Sequence, residues 1–288
     1  MHIGIGLPTS TPGGDGSLLT DWARRADEGP FSSLGVIDRI VYRSHDPLTS
    51  LAAAAAVTRR IRLCTMIVIG PLRNTTLLAK QAASIDQLSG GRLTLGLSIG
   101  ARREDYDAVG ARWSRRGHHL SQQLAELRDI WETARSADDQ PRDSHIGPAP
   151  AQPDGPELLV GGLSGASFLR AARYADGYVH GGGPPRAFAG AANRARAAWL
   201  DAGRPGEPVL WGQSYFALGD AAAGEAYMRD YYGFAGAFAE KIAAGLLTSP
   251  TAIREQIRGY EEGGCHELVL LPATSDPAEL DRLADIVG

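Results

Sequence analysis

Along the chain, short runs of crowded or alternating apolar residues are followed by longer runs whose apolar positions fall three and four apart. These are the signatures of strand and of amphipathic helix. A first strand over 2–7 is closed by Pro8 and a glycine-rich loop, and Ser17 is placed to cap a helix carrying Leu18, Trp22 and Ala26. A strand over 34–38 follows, then a helix opened by Asp46-Pro47 with Leu48, Leu51, Ala52 and Ala55 on one face. Residues 61–69 read as one continuous apolar strand of the kind buried on both faces. Asn74 or Thr75 starts the next helix, with Ala79, Ala82, Ala83, Ile85 and Leu88 lining one face, and Gly90-Gly91 ends it. The strand over 93–99 then runs into a charged loop. Leu120, Leu124, Leu127 and Trp131 mark another amphipathic helix.

Periodicity lapses over 135–156, where Pro141, Pro148, Pro150, Pro153 and Pro156 cluster, and a loop is expected. The rhythm resumes with strands over 157–161, 177–180, 208–217 and 268–271. Helices are expected over 164–175, 184–203, 221–247 and 250–262, with a last one from Pro277. Eight strands alternating with helices, with no break in composition, predict one (β/α)8 TIM barrel domain over 1–288. A doubly wound sheet is the rival, but Gly4-Ile-Gly6-Leu-Pro8 lacks the third glycine of a dinucleotide turn.

Composition narrows the picture without changing it. The 288 residues are 43% hydrophobic, enough for a barrel core, and the net charge of −4 favours neither nucleic acid nor a membrane surface. No apolar run is long enough to span a membrane, and the start lacks the pattern of a secretory signal, so a cytoplasmic protein is expected. Cys64 and Cys265 read as two buried thiols.

In a barrel the chemistry is sought where strands hand over to loops. Val160-Gly161-Gly162-Leu163-Ser164 joins a strand to a helix, and its glycines and free amides suit a phosphate or a tight turn equally. His180, before Gly181-Gly182-Gly183, is a candidate for proton transfer or an incidental histidine in a turn. Asp38-Arg39, with His45 nearby, is either a site pair or an ion pair at the rim. Arg102, Arg103, Arg112, Arg115 and Arg116 form a basic rim read as a solvated loop. Tyr227, Tyr231, Phe234 and Phe238 make an aromatic stripe suited to core, subunit contact or pocket wall. No spacing of metal ligands, nucleophile elbow or P-loop is present.

The segment AKQAASIDQLSGGRLTLGLSIG, followed by LLVGGLSGASFLRAARYADGYVHGG, resembles the luciferase-like flavin or deazaflavin oxidoreductases, a barrel family, and the similarity runs over nearly the whole chain. The resemblance implies a cofactor phosphate on Val160, Gly161, Gly162, Leu163 and Ser164, with Gly181 contributing. It also implies a non-proline cis peptide near Met66-Ile67 beneath the ring, and Ser98 and Gly100 at the ring's edge. Many members carry Asp-His where this chain has Asp38-Arg39. Arginine cannot serve as a general base near neutral pH, which leaves His45 or His180 for the proton, Arg39 for an anion, and Glu104 as the family's acidic position. Ala101 departs from the deazaflavin sugar-phosphate dehydrogenases. The implied activity is a two-component monooxygenase using reduced FMN from a separate flavin reductase, and O2, on a small organic substrate, and working as a homodimer. An F-420-dependent hydride-transfer enzyme and a non-catalytic flavin-binding subunit are the alternatives.

Overall fold

The computed structural model describes residues 1–136 and 145–288. Its strand segments are β1 (His2–Gly6), β2 (Ser33–Val36), β3 (Arg62–Thr65), β4 (Val68–Ile69), β5 (Leu93–Ser98), β6 (Glu157–Gly161), β7 (Gly177–His180), β8 (Val209–Phe216) and β9 (Glu267–Pro272). All pair in parallel. β1 lies between β2 and β9, and β5 pairs with β3, β4 and β6, so the sheet closes on itself. β3 and β4 are two halves of one stave, interrupted at a cis peptide between Met66 and Ile67. The result is an eight-stave TIM barrel, with the continuous strand expected over 61–69 corrected to a broken one.

Side chains alternate across the barrel wall, as strand geometry requires. Leu159, Val179, Trp211, Val269 and Leu271 face inward and form one apolar cluster. Val160, Tyr178, Leu210, Phe216 and Leu268 face outward and pack under the helices. Both cysteines are buried and free, and burial pushes their thiols up, Cys265 to about 12.

Local signals account for the helix ends. Asp46 and Asn74 cap the helices Pro47–Val57 and Thr75–Ser89, each side chain accepting a first-turn amide. At the first helix, Gly16–Glu28, Asp15 takes this role and the Ser17 hydroxyl donates to it, which moves the expected cap two residues towards the N-terminus. Gly90 closes Thr75–Ser89 in the left-handed region, φ 68°, where a side chain is strained. Leu88 is 62% exposed, and Ser89 instead completes the stripe begun by Ala82 and Ile85. The helical stretch expected over 221–247 breaks at Gly233 into Ala221–Tyr231, a short turn, and Phe238–Ala243. A helix absent from the expectations, Arg103–Ala108, occupies the charged loop after β5.

The proline-rich approach to β6 is tied down where it is described; Pro141 lies outside the described residues. Asp86, fully buried, accepts from the Gln152 amide at 2.9 Å, the Gln152 Nε2 at 2.7 Å and the Leu93 amide at 3.3 Å. Asp86→Ala strands these donors in the interior and is expected to lower stability by about 2–3 kcal/mol. Urea unfolding measures this, and a loss below roughly 0.5 kcal/mol, the size of a surface substitution, would show that the tie is idle.

Candidate active site

A cavity of about 300 Å³ opens at the carboxyl ends of the staves. Gly161 at the end of β6, Gly162 just after it and Gly181 after β7 make one wall, and Met66, Ile67 and Ile69 make the shoulder formed by β3 and β4. Ser98 ends β5 and Gly100 follows it, the Ser98 hydroxyl accepting from the Gly100 amide at 3.2 Å. Tyr215, Tyr231, Tyr232 and Phe234 close the far side, and Asp38, Arg102 and Gln213 supply the polar groups. Phe234 reaches the mouth from the short turn Gly233–Ala235 that follows the helix Ala221–Tyr231. Burial pushes the phenols of Tyr215, Tyr231 and Tyr232 up, so the aromatic wall is uncharged.

Two buried carboxylates brace this mouth. Asp38 accepts from the Ile69 amide at 2.8 Å and from both ends of the Arg73 guanidinium, at 2.6 and 3.2 Å. Burial pushes its carboxyl up, and Arg73 and the amide pull the other way. Asp105 accepts from the Ile40 and Val41 amides at 3.1 and 2.8 Å and from Arg102 Nε at 3.0 Å. Arg102 also donates to the Asp38 carbonyl at 3.2 Å and lies against the rings of Tyr231 and Phe234. Burial works against its charge, while Tyr231 and Asp105 hold the guanidinium pKa up.

The turn after β6 leads out of the cavity. Ser164 caps the helix Gly165–Tyr174 by accepting from the Ser167 amide, and Leu163 through Ala166 are exposed. The first amides of that helix face outward with the positive end of its dipole. Arg194 lies beside them, donating to the Leu163 carbonyl at 3.1 Å.

Seven of the ten residues expected to hold a cofactor, namely Met66, Ile67, Ser98, Gly100, Gly161, Gly162 and Gly181, line the one cavity. Val160 packs outward into the helix layer, and Leu163 and Ser164 lie on the exposed turn. The four residues expected to be catalytic lie elsewhere. Val179 takes the inward position on β7, so His180 points outward, its ring 5.9 Å from that of Phe188 and 6.4 Å from that of Tyr260. His45 is exposed, its ring 3.4 Å from the Gly14 carbonyl. Arg39 and Glu104 pair with each other at 2.9 Å outside the cavity, and Arg39 also donates to the Tyr231 carbonyl. The basic rim is corrected in one member: Arg102 is 8% exposed and part of the wall.

Gln213 and the Arg102–Asp105 pair were not singled out from the sequence as site residues. Strict alternation on β8 from Trp211 places Gln213 and Tyr215 inward, and a helical reading of 103–108 sets Asp105 one turn from Arg102. A larger hollow of about 580 Å³ lies after β8 and β9, where barrel phosphates most often sit. Its cation, Arg282, is already taken up by Asp276 and Glu279, and Asp220 adds a further carboxylate, so it is poorly suited to an anion. Among the described residues no cluster of His, Cys, Asp and Glu could hold a metal, and no helix is long and apolar enough to cross a membrane.

The chain belongs to the luciferase-like monooxygenase family, whose model matches residues 1–262. It is 38% identical over 139 residues to the uncharacterized protein Rv0940c of Mycobacterium tuberculosis, covering 46% of this chain and 47% of that protein. It is 33% identical over 175 residues to the pyrimidine monooxygenase RutA of Cronobacter sakazakii, covering 55% and 50%. The chain thus spans about half the length of the curated relatives it matches. Among solved structures, an F420-dependent secondary alcohol dehydrogenase with an F420-acetone adduct shares the fold at a TM-score of 0.79, with 16% identity and 100% and 99% coverage. The oxygenating constituent of 3,6-diketocamphane monooxygenase from Pseudomonas putida, in complex with FMN, shares it at 0.74, with 18% identity and 100% and 96% coverage.

Burial lowers the His180 pKa from 6.5 to about 4, so the fold holds the neutral ring. A depressed histidine adds stability that is complete above the ordinary pKa and is lost as pH falls from about 6.5 towards 4. His180→Leu is therefore expected to lose less stability than the parent chain between pH 7 and pH 4.5, in matched urea titrations. Identical pH profiles, or a ring that titrates near 6.5 by NMR, would contradict the placement.

Proposed function

We propose that this chain is a flavin-dependent oxidoreductase, and specifically the oxygenating component of a two-component monooxygenase. It takes reduced FMN from a separate flavin reductase and acts with O2 on a small organic substrate. The observation that carries this reading is Gly181. Its φ is not in the left-handed region, and a Cβ built on it would meet no atom within 4 Å. Neither backbone nor packing asks for glycine there, yet the residue lines the cavity, so what its lack of a side chain preserves is open space for a bound molecule.

The residues fit a flavin. Gly161 and Gly162 let the backbone approach the cofactor tail, and the exposed amides of Gly165–Tyr174 with Arg194 beside them suit its phosphate. Met66 and Ile67 offer an apolar shoulder to the ring, with Ser98 and Gly100 at its edge. When bound, reduced FMN supplies the electrons with which O2 is activated. The protein's part is to hold, orient and exclude water. Tyr215, Tyr231, Tyr232 and Phe234 shield the mouth, and Arg102 presents a fixed positive charge at its wall. Asp38 is the carboxylate at the cavity and the Arg73 fork holds it, so proton handling by His180 or His45 forms no part of this reading. It includes a homodimer working in the cytoplasm.

A second reading, hydride transfer with the deazaflavin F-420, has its own observation. Arg170 donates to the Gly117 carbonyl at 3.0 Å, which sets the loop bearing the exposed Arg112 and Arg115 beside the helix Gly165–Tyr174. Those cations could meet the longer anionic tail. Anaerobic titration with reduced FMN and reduced F-420 separates the two, and Gly181→Val ties the result to the site. The variant is expected to bind FMN at least about tenfold more weakly with its thermal midpoint essentially kept. Tight binding of F-420 alone selects the second reading, and unchanged FMN affinity in the variant rejects the proposed seat.

A further inference from the structure

Arg102 is 8% exposed and lines the cavity, and one edge of its guanidinium is taken. Nε donates to Asp105 at 3.0 Å and Nη2 to the Asp38 carbonyl at 3.2 Å. The guanidinium is a rigid planar fork, so its third nitrogen, Nη1, points away from that edge. Nη1 has no acceptor among the described residues and remains open to solvent. The guanidinium carbon lies 5.1 Å from the ring centre of Tyr231 and 4.9 Å from that of Phe234, and both rings line the same cavity.

The Tyr231 hydroxyl is a second donor at this place. Tyr231 is 3% exposed, and its hydroxyl also lacks a partner among the described residues while staying open to solvent. Burial raises its phenol, and the Arg102 charge is the strongest opposing influence, which sets the hydroxyl beside the guanidinium. A guanidinium N–H and a phenolic O–H thus stand side by side in the wall with no protein oxygen to receive them. A carbonyl oxygen, with two lone pairs, can receive both. Tyr231, Tyr232 and Phe234 around the pair favour a flat apolar body behind that oxygen.

Charge decides between a neutral carbonyl and a carboxylate. Asp105 offsets Arg102, and Arg73 offsets Asp38 while also holding Asp46. Two cations therefore already face three carboxylates. A carboxylate guest would add a further negative charge beside aromatic rings, where uncompensated charge is costly, and a neutral carbonyl adds none. The two donors lie outside the glycine wall, the Met66–Ile67 shoulder, Ser98 and Gly100, which the flavin reading gives to the cofactor.

We propose that Arg102 and Tyr231 are specificity-determining residues that together donate to one carbonyl oxygen of the substrate, and that the substrate is a flat, mainly apolar, uncharged carbonyl compound. The assignment of this partner as substrate rests on the flavin reading above. A site built to hydrogen-bond a guest rejects the isostere that lacks the matching group.

Acetophenone and α-methylstyrene test this on the full chain. They share one shape, the ketone oxygen of the first being a methylene carbon in the second. The hydrocarbon is the more apolar, so burial alone favours it, and a preference for the ketone has to come from the donors. Calorimetric titration of the parent chain is expected to give at least about tenfold tighter binding of acetophenone, the size of a hydrogen bond from a charged donor. Tyr231→Phe deletes only the hydroxyl and is expected to cut the preference to about threefold or less, and Arg102→Met to about twofold. Arg102→Met also strands Asp105, so Tyr231→Phe decides if that variant does not fold. Equal binding by the parent chain, binding of neither compound, or an undiminished preference in Tyr231→Phe would each overturn the proposal. Benzoate bound more tightly than acetophenone would overturn the uncharged class. With FMN at saturation the preference is expected to persist, and its loss would give the donors to the cofactor and overturn the proposal. A chain that prefers acetophenone but binds no FMN loses the flavin reading and keeps the carbonyl niche, whereas a chain that binds FMN without the preference loses only the niche.

Discussion

The mouth of this barrel depends on two buried carboxylates keeping the loops after β2, β4 and β5 together. Asp38 holds the Ile69 amide and the Arg73 fork, and Asp105 holds two amides of the loop after β2 and the Arg102 guanidinium. Arg102 closes the ring by donating to the Asp38 carbonyl. Replacing such pairs by apolar residues can be neutral, but removing one partner leaves a buried charge uncompensated and typically costs 3–5 kcal/mol. The ring therefore acts as a register device. It sets Met66, Ile67, Ser98 and Gly100 where one bound molecule can touch all of them.

With that register in place, the cavity divides by chemistry. Its glycine wall and apolar shoulder have little side chain to offer and suit a large planar cofactor approached by backbone. Its opposite side is built from phenols, a phenyl ring, one guanidinium and one amide, and suits the discrimination of a smaller guest. The same alternation that sends Val179 inward sends His180 into the helix layer, so the most conspicuous titratable group near the glycines packs against Phe188 and Tyr260 and does not line the cavity.

Most of the fold was legible from periodicity, because closed parallel sheets demand buried strands at regular intervals and several helices carry side-chain caps, as at Asp15, Asp46, Asn74 and Ser164. The break at Met66-Ile67 was legible only through family resemblance, since an apolar run carries no mark of a cis bond. The glycines of the cavity wall were legible where glycine permits close backbone approach, as at Gly161, Gly162 and Gly181. The catalytic expectations were not, for a physical reason. A histidine beside three glycines or an arginine beside an aspartate looks the same in sequence whether its side chain faces the cavity or a neighbouring helix. Asp38 pairs with Arg73 and Arg39 with Glu104, partnerships set by loop geometry across 35 and 65 residues of sequence. Gln213 was readable in principle by counting along β8, but a lone amide among apolar residues gives no signal of its own.

The central claim is that a flavin sits with its phosphate at the turn after β6 and its ring on the shoulder at Met66 and Ile67. A crystal structure of the chain with FMN tests it most directly. The account predicts the phosphate on the amides at Ser164–Ala166 beside Arg194, the tail passing Gly181, and the ring against Met66 and Ile67. A phosphate in the hollow after β8 and β9, or a ring remote from that shoulder, would contradict it.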